Sequence, residues 1–131
     1  MAIITAPSMA DTVYQGPQGN LSVAEGWYPF SGTEKPGDII ELLALPIGMR
    51  IYGLNMSSDK LGIYVSIRFN GMSLISTTSC ASAFEKYTPI KPYSTKTPSD
   101  KLVAVVGSTV STNIFVPGLL TVSLFYTAVG Y

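Results

Sequence analysis

Residues 63–69, Ile-Tyr-Val-Ser-Ile-Arg-Phe, place Ile63, Val65, Ile67 and Phe69 on one side of an extended chain and Tyr64, Ser66 and Arg68 on the other, and they end on Asn70-Gly71. A period of two marks a strand with one buried face. Asn-Gly suits a two-residue type I′ turn, which needs positive φ at both central positions. The stretch therefore predicts an antiparallel hairpin with residues 72–77. It closes a longer organising segment, residues 37–69, in which three apolar runs are separated by Pro46-Ile47-Gly48 and by Ser57-Ser58-Asp59-Lys60. The run at 39–45 is apolar on both faces apart from Glu41, unlike a strand wetted on one side. The run at 49–56 sets Met49, Ile51 and Gly53 against Arg50, Tyr52 and Leu54, so Tyr52 and Leu54 call for cover on a second face.

Downstream, residues 84–90 form another run, and 91–100, with Pro92 and Pro98, read as a surface loop. Residues 102–106 are Val-rich, 110–116 read as a weak strand stopped by Pro117-Gly118, and 120–126 alternate cleanly to give a C-terminal strand. Only 82–86 could make a turn of helix, and no longer stretch carries a helical stripe. About seven or eight strands with turn signals every ~8 to 12 residues predict an all-β sandwich or barrel. The length, 131 residues, suits one domain.

The first 33 residues differ: they hold no Lys or Arg and are broken by Pro7, Pro17, Pro29, Gly16, Gly19, Gly26 and Gly32. The expected organisation is an extended N-terminal arm at 1–33 and a sandwich domain at 34–131, with Gly16-Pro17-Gln18-Gly19 a bend in the arm. A solvated tail would lack so many large apolar side chains. Ile3, Ile4, Tyr14, Trp27, Tyr28 and Phe30 are therefore the candidate partner-binding residues. The Trp27-Tyr28-Pro29-Phe30 cluster has three readings: a plug over the open edge of its own sandwich, an anchor in another subunit, or a platform for sugar rings.

Composition narrows the chemistry. The net charge is zero, with eight basic residues scattered along the chain, so there is no electrostatic footprint for nucleic acid. No apolar run approaches the ~20 residues of a membrane helix. The absence of histidine removes Ser-His-Asp and Cys-His arrangements, imidazole metal ligands and the metal site of cupin enzymes. The single cysteine, Cys80, allows no intrachain disulfide and reads as an inert small core residue. Asp38, after Gly37, reads as a turn residue capping local backbone rather than as a catalytic acid. The expectation is no catalytic residue, no metal and no cofactor. Only 12% of residues are charged and 47% are hydrophobic, and there are eight tyrosines. Such a surface fits a homo-oligomer, dimer or trimer, whose faces are largely interface; it also fits a sugar-binding module.

The spacing of Gly37, Asp38, Ile39, Ile40, Leu42, Leu45, Pro46, Gly48 and Ile51, followed by Asp59-Lys60-Leu61-Gly62, resembles the small jelly-roll decoration or cement proteins of tailed-phage heads. The resemblance continues through Thr97-Pro98-Ser99-Asp100 to Val106, the turn at Gly107, and the closing segment 118–126, covering about residues 37 to 128. Related sequences often carry an Asp-rich loop after the Leu-Gly strand, where this chain has Asn70-Gly71-Met72 and a Ser-Thr run. The resemblance implies a jelly-roll-like antiparallel β-sandwich and a structural, non-catalytic role on the exterior of a virion capsid. It implies synthesis in the host cytoplasm and, as partners, the major capsid protein and copies of the chain itself. The alternative is a carbohydrate-binding jelly-roll module, lectin-like or holding host glycans at the head surface.

Overall fold

The alternation at residues 63–69 becomes a strand with Ile63, Val65, Ile67 and Phe69 all buried. The same rule places Leu102, Ala104 and Val106, and Leu120, Val122, Leu124 and Tyr126, in the core. The structure is a computed structural model that describes residues 3–10, 21–45, 48–69, 72–95, 101–110 and 114–128. The strands are β1 (Ile3–Thr5), β2 (Leu21–Phe30), β3 (Ile39–Ala44), β4 (Met49–Ser58), β5 (Ile63–Phe69), β6 (Met72–Ser79), β7 (Phe84–Ser94), β8 (Lys101–Thr109) and β9 (Gly118–Ala128), with a short 3-10 helix at Pro7–Ala10.

One sheet runs β1-β3-β8-β5-β6 and the other β2-β9-β4-β7. From β2 to β9 each successive strand changes sheet, except across the β5–β6 hairpin, and every pairing among these strands is antiparallel. That winding is a jelly roll, the all-β sandwich expected from the strand pattern. β1 is an addition, parallel to β3. The β5–β6 pairing follows the hairpin signal, while Asn70 and Gly71 lie outside the described residues.

β3 and β4 are apolar on both faces for a reason other than double cover. In β3 the register shifts between Glu41 and Leu43, so Ile40 and Leu42 point inward before the shift and Leu43 and Leu45 after it. In β4 the shift lies between Ile51 and Gly53 against both neighbours; Met49 and Ile51 face the core before it, Leu54 and Met56 after it. A bulge adds one residue and flips the side-chain phase. Tyr52 thus faces solvent and Leu54 the core, and the cover expected over Tyr52 is not needed.

The expected arm at 1–33 is corrected. Leu21–Phe30 is a full strand, paired with β9 along its length from Leu21 opposite Thr127 to Phe30 opposite Gly118. Its irregular look comes from its inward side, where Ser22, Ala24 and Gly26 are small. A Cβ on Gly26 would lie 2.9 Å from Leu42 Cβ, so β2 and β3 approach too closely for a larger residue. Ile3–Thr5 also joins a sheet, while residues 11–20, including the Gly16–Gly19 bend, lie outside the described residues. Three local expectations change as well. β7 runs on to Ser94, where a loop was expected from residue 91. Val110 and residues 114–116 form no strand, although the Val110 and Val116 N–H groups donate to the Gly62 and Leu61 carbonyls at 2.8 and 3.0 Å. Residues 84–86 open β7, and before them the chain bends at 81–82 and forms no helix.

Candidate interaction surface

The outward side of the four-stranded sheet assembles aromatic and aliphatic side chains that are far apart in sequence. Because Ala24, Gly26 and Phe30 turn inward, Leu21, Val23, Glu25, Trp27 and Pro29 turn outward on β2. Pairing then builds rows across the sheet. Val23 lies opposite Phe125, which lies opposite Gly53, which lies opposite Pro89. The next row is Glu25, Ser123, Asn55 and Tyr87, and the one after it Trp27, Thr121, Ser57 and Glu85.

Gly53 shapes this face. A Cβ there would lie 2.9 Å from Tyr87 Cζ, so the absence of a side chain lets the Tyr87 ring lie across β4. The ring then meets Phe125 edge-on, with centroids 5.5 Å apart. Tyr52, outward like Arg50 before the bulge, lies under the Arg50 guanidinium at 6.0 Å from its ring centroid. Glu85 accepts a hydrogen bond from Asn55 Nδ2 at 3.3 Å. Charge on this face is therefore sparse and marginal, and its centre is uncharged.

The six residues singled out from the sequence do not converge. Ile3 is exposed on the five-stranded sheet, and Ile4 packs half-buried against the core. Tyr14 lies outside the described residues. Phe30 is 2% exposed and packs edge-on against Tyr28 at 4.9 Å and Phe115 at 5.7 Å, so it closes its own sandwich and is not open to a partner. Tyr28 is half-buried beside it. Of the cluster, Trp27 and Pro29 join the outward face. The Trp27 backbone is tied down by Ser8, which accepts from Trp27 N–H at 2.9 Å and directs its own hydroxyl to the carbonyls of Leu42 at 2.7 Å and Trp27 at 3.1 Å. Ser8 is fully buried, so its bonds join the edge of one sheet to a strand of the other.

The turn after β2 is built on Glu34. The Tyr28 hydroxyl donates to Oε2 at 2.6 Å, and the N–H groups of Ser31 and Gly32 donate to the same carboxylate at 3.2 and 3.1 Å. Burial and the Glu34 carboxylate push the Tyr28 phenol up to about 12. Burial alone would raise Glu34, but the hydrogen bonds from Tyr28 and the turn outweigh it and hold the carboxyl below its ordinary value. Asp38 caps its turn, accepting from Lys35 N–H at 2.9 Å. Cys80 is buried in the core with its thiol pushed up by desolvation, an inert position. Among the described residues no group of His, Cys, Asp and Glu is gathered to hold a metal.

Leu21, Val23, Tyr87 and Phe125 were not singled out from sequence, and Tyr52 was singled out only as a residue calling for cover. The signal for β2 is there at period two, but inverted: the large residues are outward and the small ones inward.

No family model and no curated protein sequence matches this chain. Solved structures do. A chain in the capsid of Ralstonia phage GP4 superposes with a TM-score of 0.76 at 14% identity, covering 99% of this chain and 100% of that one. A chain of the cyanophage Pam1 capsid asymmetric unit superposes with a TM-score of 0.71 at 20% identity, covering 93% and 94%. The likeness is one of fold. It runs nearly end to end, so both neighbours are single small sandwiches of about this chain's size.

Proposed function

We propose that this chain is a structural capsid protein of a tailed phage, a decoration or cement protein that binds the outside of the shell and is not an enzyme. The observation that carries the reading is the end-to-end likeness to whole chains of two phage capsids. The outward face of the four-stranded sheet supports it: Tyr87, Phe125, Val23 and Trp27 form an aromatic and aliphatic surface with its charges at the margin, the make-up of an interface core. On this reading the partners are the major capsid protein and further copies of the chain, and the location is the virion exterior.

The test is direct. Particles prepared without this protein are mixed with the purified chain, sedimented, and imaged by cryo-electron microscopy. Saturable binding with ordered density on the outer surface supports the proposal. No binding to such particles, together with saturable glycan binding that Trp27→Ala abolishes, assigns the chain to the carbohydrate-binding class instead.

A further inference from the structure

Two sheets have four edges, and an open edge is a template for another strand. Three edges here carry devices against pairing. β1 is three residues long, β6 shifts register twice against β5, and β7 contains Pro89 and Pro92. β2 differs. It is ten residues long, pairs with β9 without a register shift, has no Lys or Arg, and holds its one proline, Pro29, next to its end.

The direction of its backbone groups is fixed by one residue. Trp27 N–H and C=O both meet Ser8, which lies on the side of β2 away from β9. Along an antiparallel strand alternate residues turn both groups to the same side. Leu21, Val23 and Glu25 therefore present N–H and C=O along the same edge as Trp27. The side chains there are also uncovered among the described residues, Leu21 67% and Val23 53% exposed.

We propose that residues 21–25 of β2 pair antiparallel with the same residues of a second copy, about a two-fold axis at Val23, joining two four-stranded sheets into one. In this register Val23 faces Val23 of the second copy and Leu21 faces its Glu25, each pair exchanging both backbone hydrogen bonds. The register follows from charge and space. An axis at Glu25 would set two carboxylates opposite one another, which is repulsive, and an axis at Trp27 meets groups already taken by Ser8. On the inward side Ser22 and Ala24 are small and let a second sheet approach. The outward faces of both copies then lie side by side as one apolar surface, so the pairing adds to the proposed capsid contact without depending on it.

The test uses the full-length chain in solution, with no particle present, so its outcome is separate from that of particle attachment. Light scattering at micromolar concentration should give about twice the 14.0 kDa of the single chain. Val23→Lys and Val23→Glu should each give the single-chain mass, because like charges then meet on the axis. Mixing the two should restore the doubled mass. Hydrogen exchange at the Leu21, Val23 and Glu25 amides should be slow in the parent and in the mixture and fast in either variant alone. A monomeric parent, a trimer, or a dimer that survives Val23→Lys with its protection intact overturns the proposal.

Discussion

The outward faces of the two sheets share a scaffold and differ in how they treat charge. On the five-stranded sheet the rows run Ile3, Ile39, Val105, Ser66 and Thr5, Glu41, Val103, Arg68. There Lys101 Nζ sits 3.0 Å from Glu41 Oε2, and Arg68 extends the charged band. On that face Val103 lies between Glu41 and Arg68, and among the described residues the aromatic one is Tyr64, beside Gly107. On the four-stranded sheet the equivalent central positions hold Phe125 and Tyr87 in ring contact over Gly53, with Glu25, Arg50 and Glu85 at the margins. The first face carries its ion pair and Arg68 within the band itself, whereas on the second the Phe125–Tyr87 pair stands apart from charge and the charge–aromatic contact, Arg50 over Tyr52, lies at the margin.

Inside, the sheets should be equivalent, and that is the largest effect to measure. Ile67 and Leu124 are fully buried, each on an interior strand of its sheet. Ile67→Ala and Leu124→Ala should each lower stability by about 2 to 5 kcal/mol in denaturant titration. A loss confined to one of them would mean that the sheets do not share one core.

The outward faces should then separate. Tyr87→Lys puts a charge into the aromatic centre and should weaken attachment to particles lacking this protein by at least ~2 kcal/mol, roughly thirtyfold in Kd, with the melting temperature little changed. Val103→Lys, the matching change on the five-stranded face, should leave attachment as it is. Equal losses from both variants would remove the distinction between the faces.

How far this could be read from the chain depended on whether large residues pointed inward in an unbroken rhythm. β5 and β9 did so, and their positions and faces were legible; β8 was legible in position only, since residues 102–106 are apolar on both sides. β3 and β4 were legible as strands, but their bulges at Glu41/Leu43 and Ile51/Gly53 put apolar residues on both sides of a strictly alternating count. β2 was hidden because its core side is Ser22, Ala24 and Gly26, packed close against β3. The candidate surface was scattered for a related reason. It joins β2, β4, β7 and β9 through pairings of long sequence separation, and its key position is a glycine, whose role is to leave room for a tyrosine from the next strand.

Tyr28 and Glu34 tie the end of β2 to its turn and give the four-stranded sheet a pH response. A phenol raised in the folded chain keeps its proton more firmly there than when unfolded. Its contribution is complete below about 10 and is lost as pH rises toward about 12. Glu34, lowered in the folded chain, acts in the opposite direction, its contribution fading as pH falls through the carboxylate range. Thermal melts should show an alkaline loss of melting temperature that Tyr28→Phe reduces, while the acid-side loss remains, since the turn N–H groups still bond Glu34. An unchanged alkaline profile in Tyr28→Phe would assign the loss to other tyrosines.

The smallest effect belongs to the charged face. Lys101 is 41% exposed at its side chain and Glu41 18%, so their attraction is screened by water, and holding two long side chains in one geometry costs entropy. Lys101→Met should therefore lower stability by no more than ~1 kcal/mol, and by less as salt is added, because ions screen exposed pairs over a Debye length of ~10 Å at 0.1 M. Attachment that depends on Tyr87 and Phe125 rests on apolar burial, which moderate salt does not screen, so its affinity should change little over the same range. The two salt titrations can be run on one preparation. If attachment falls steeply with salt while Lys101→Met leaves stability untouched, the charged band is spending its ionic interactions on the shell, and the roles given to the two faces are reversed.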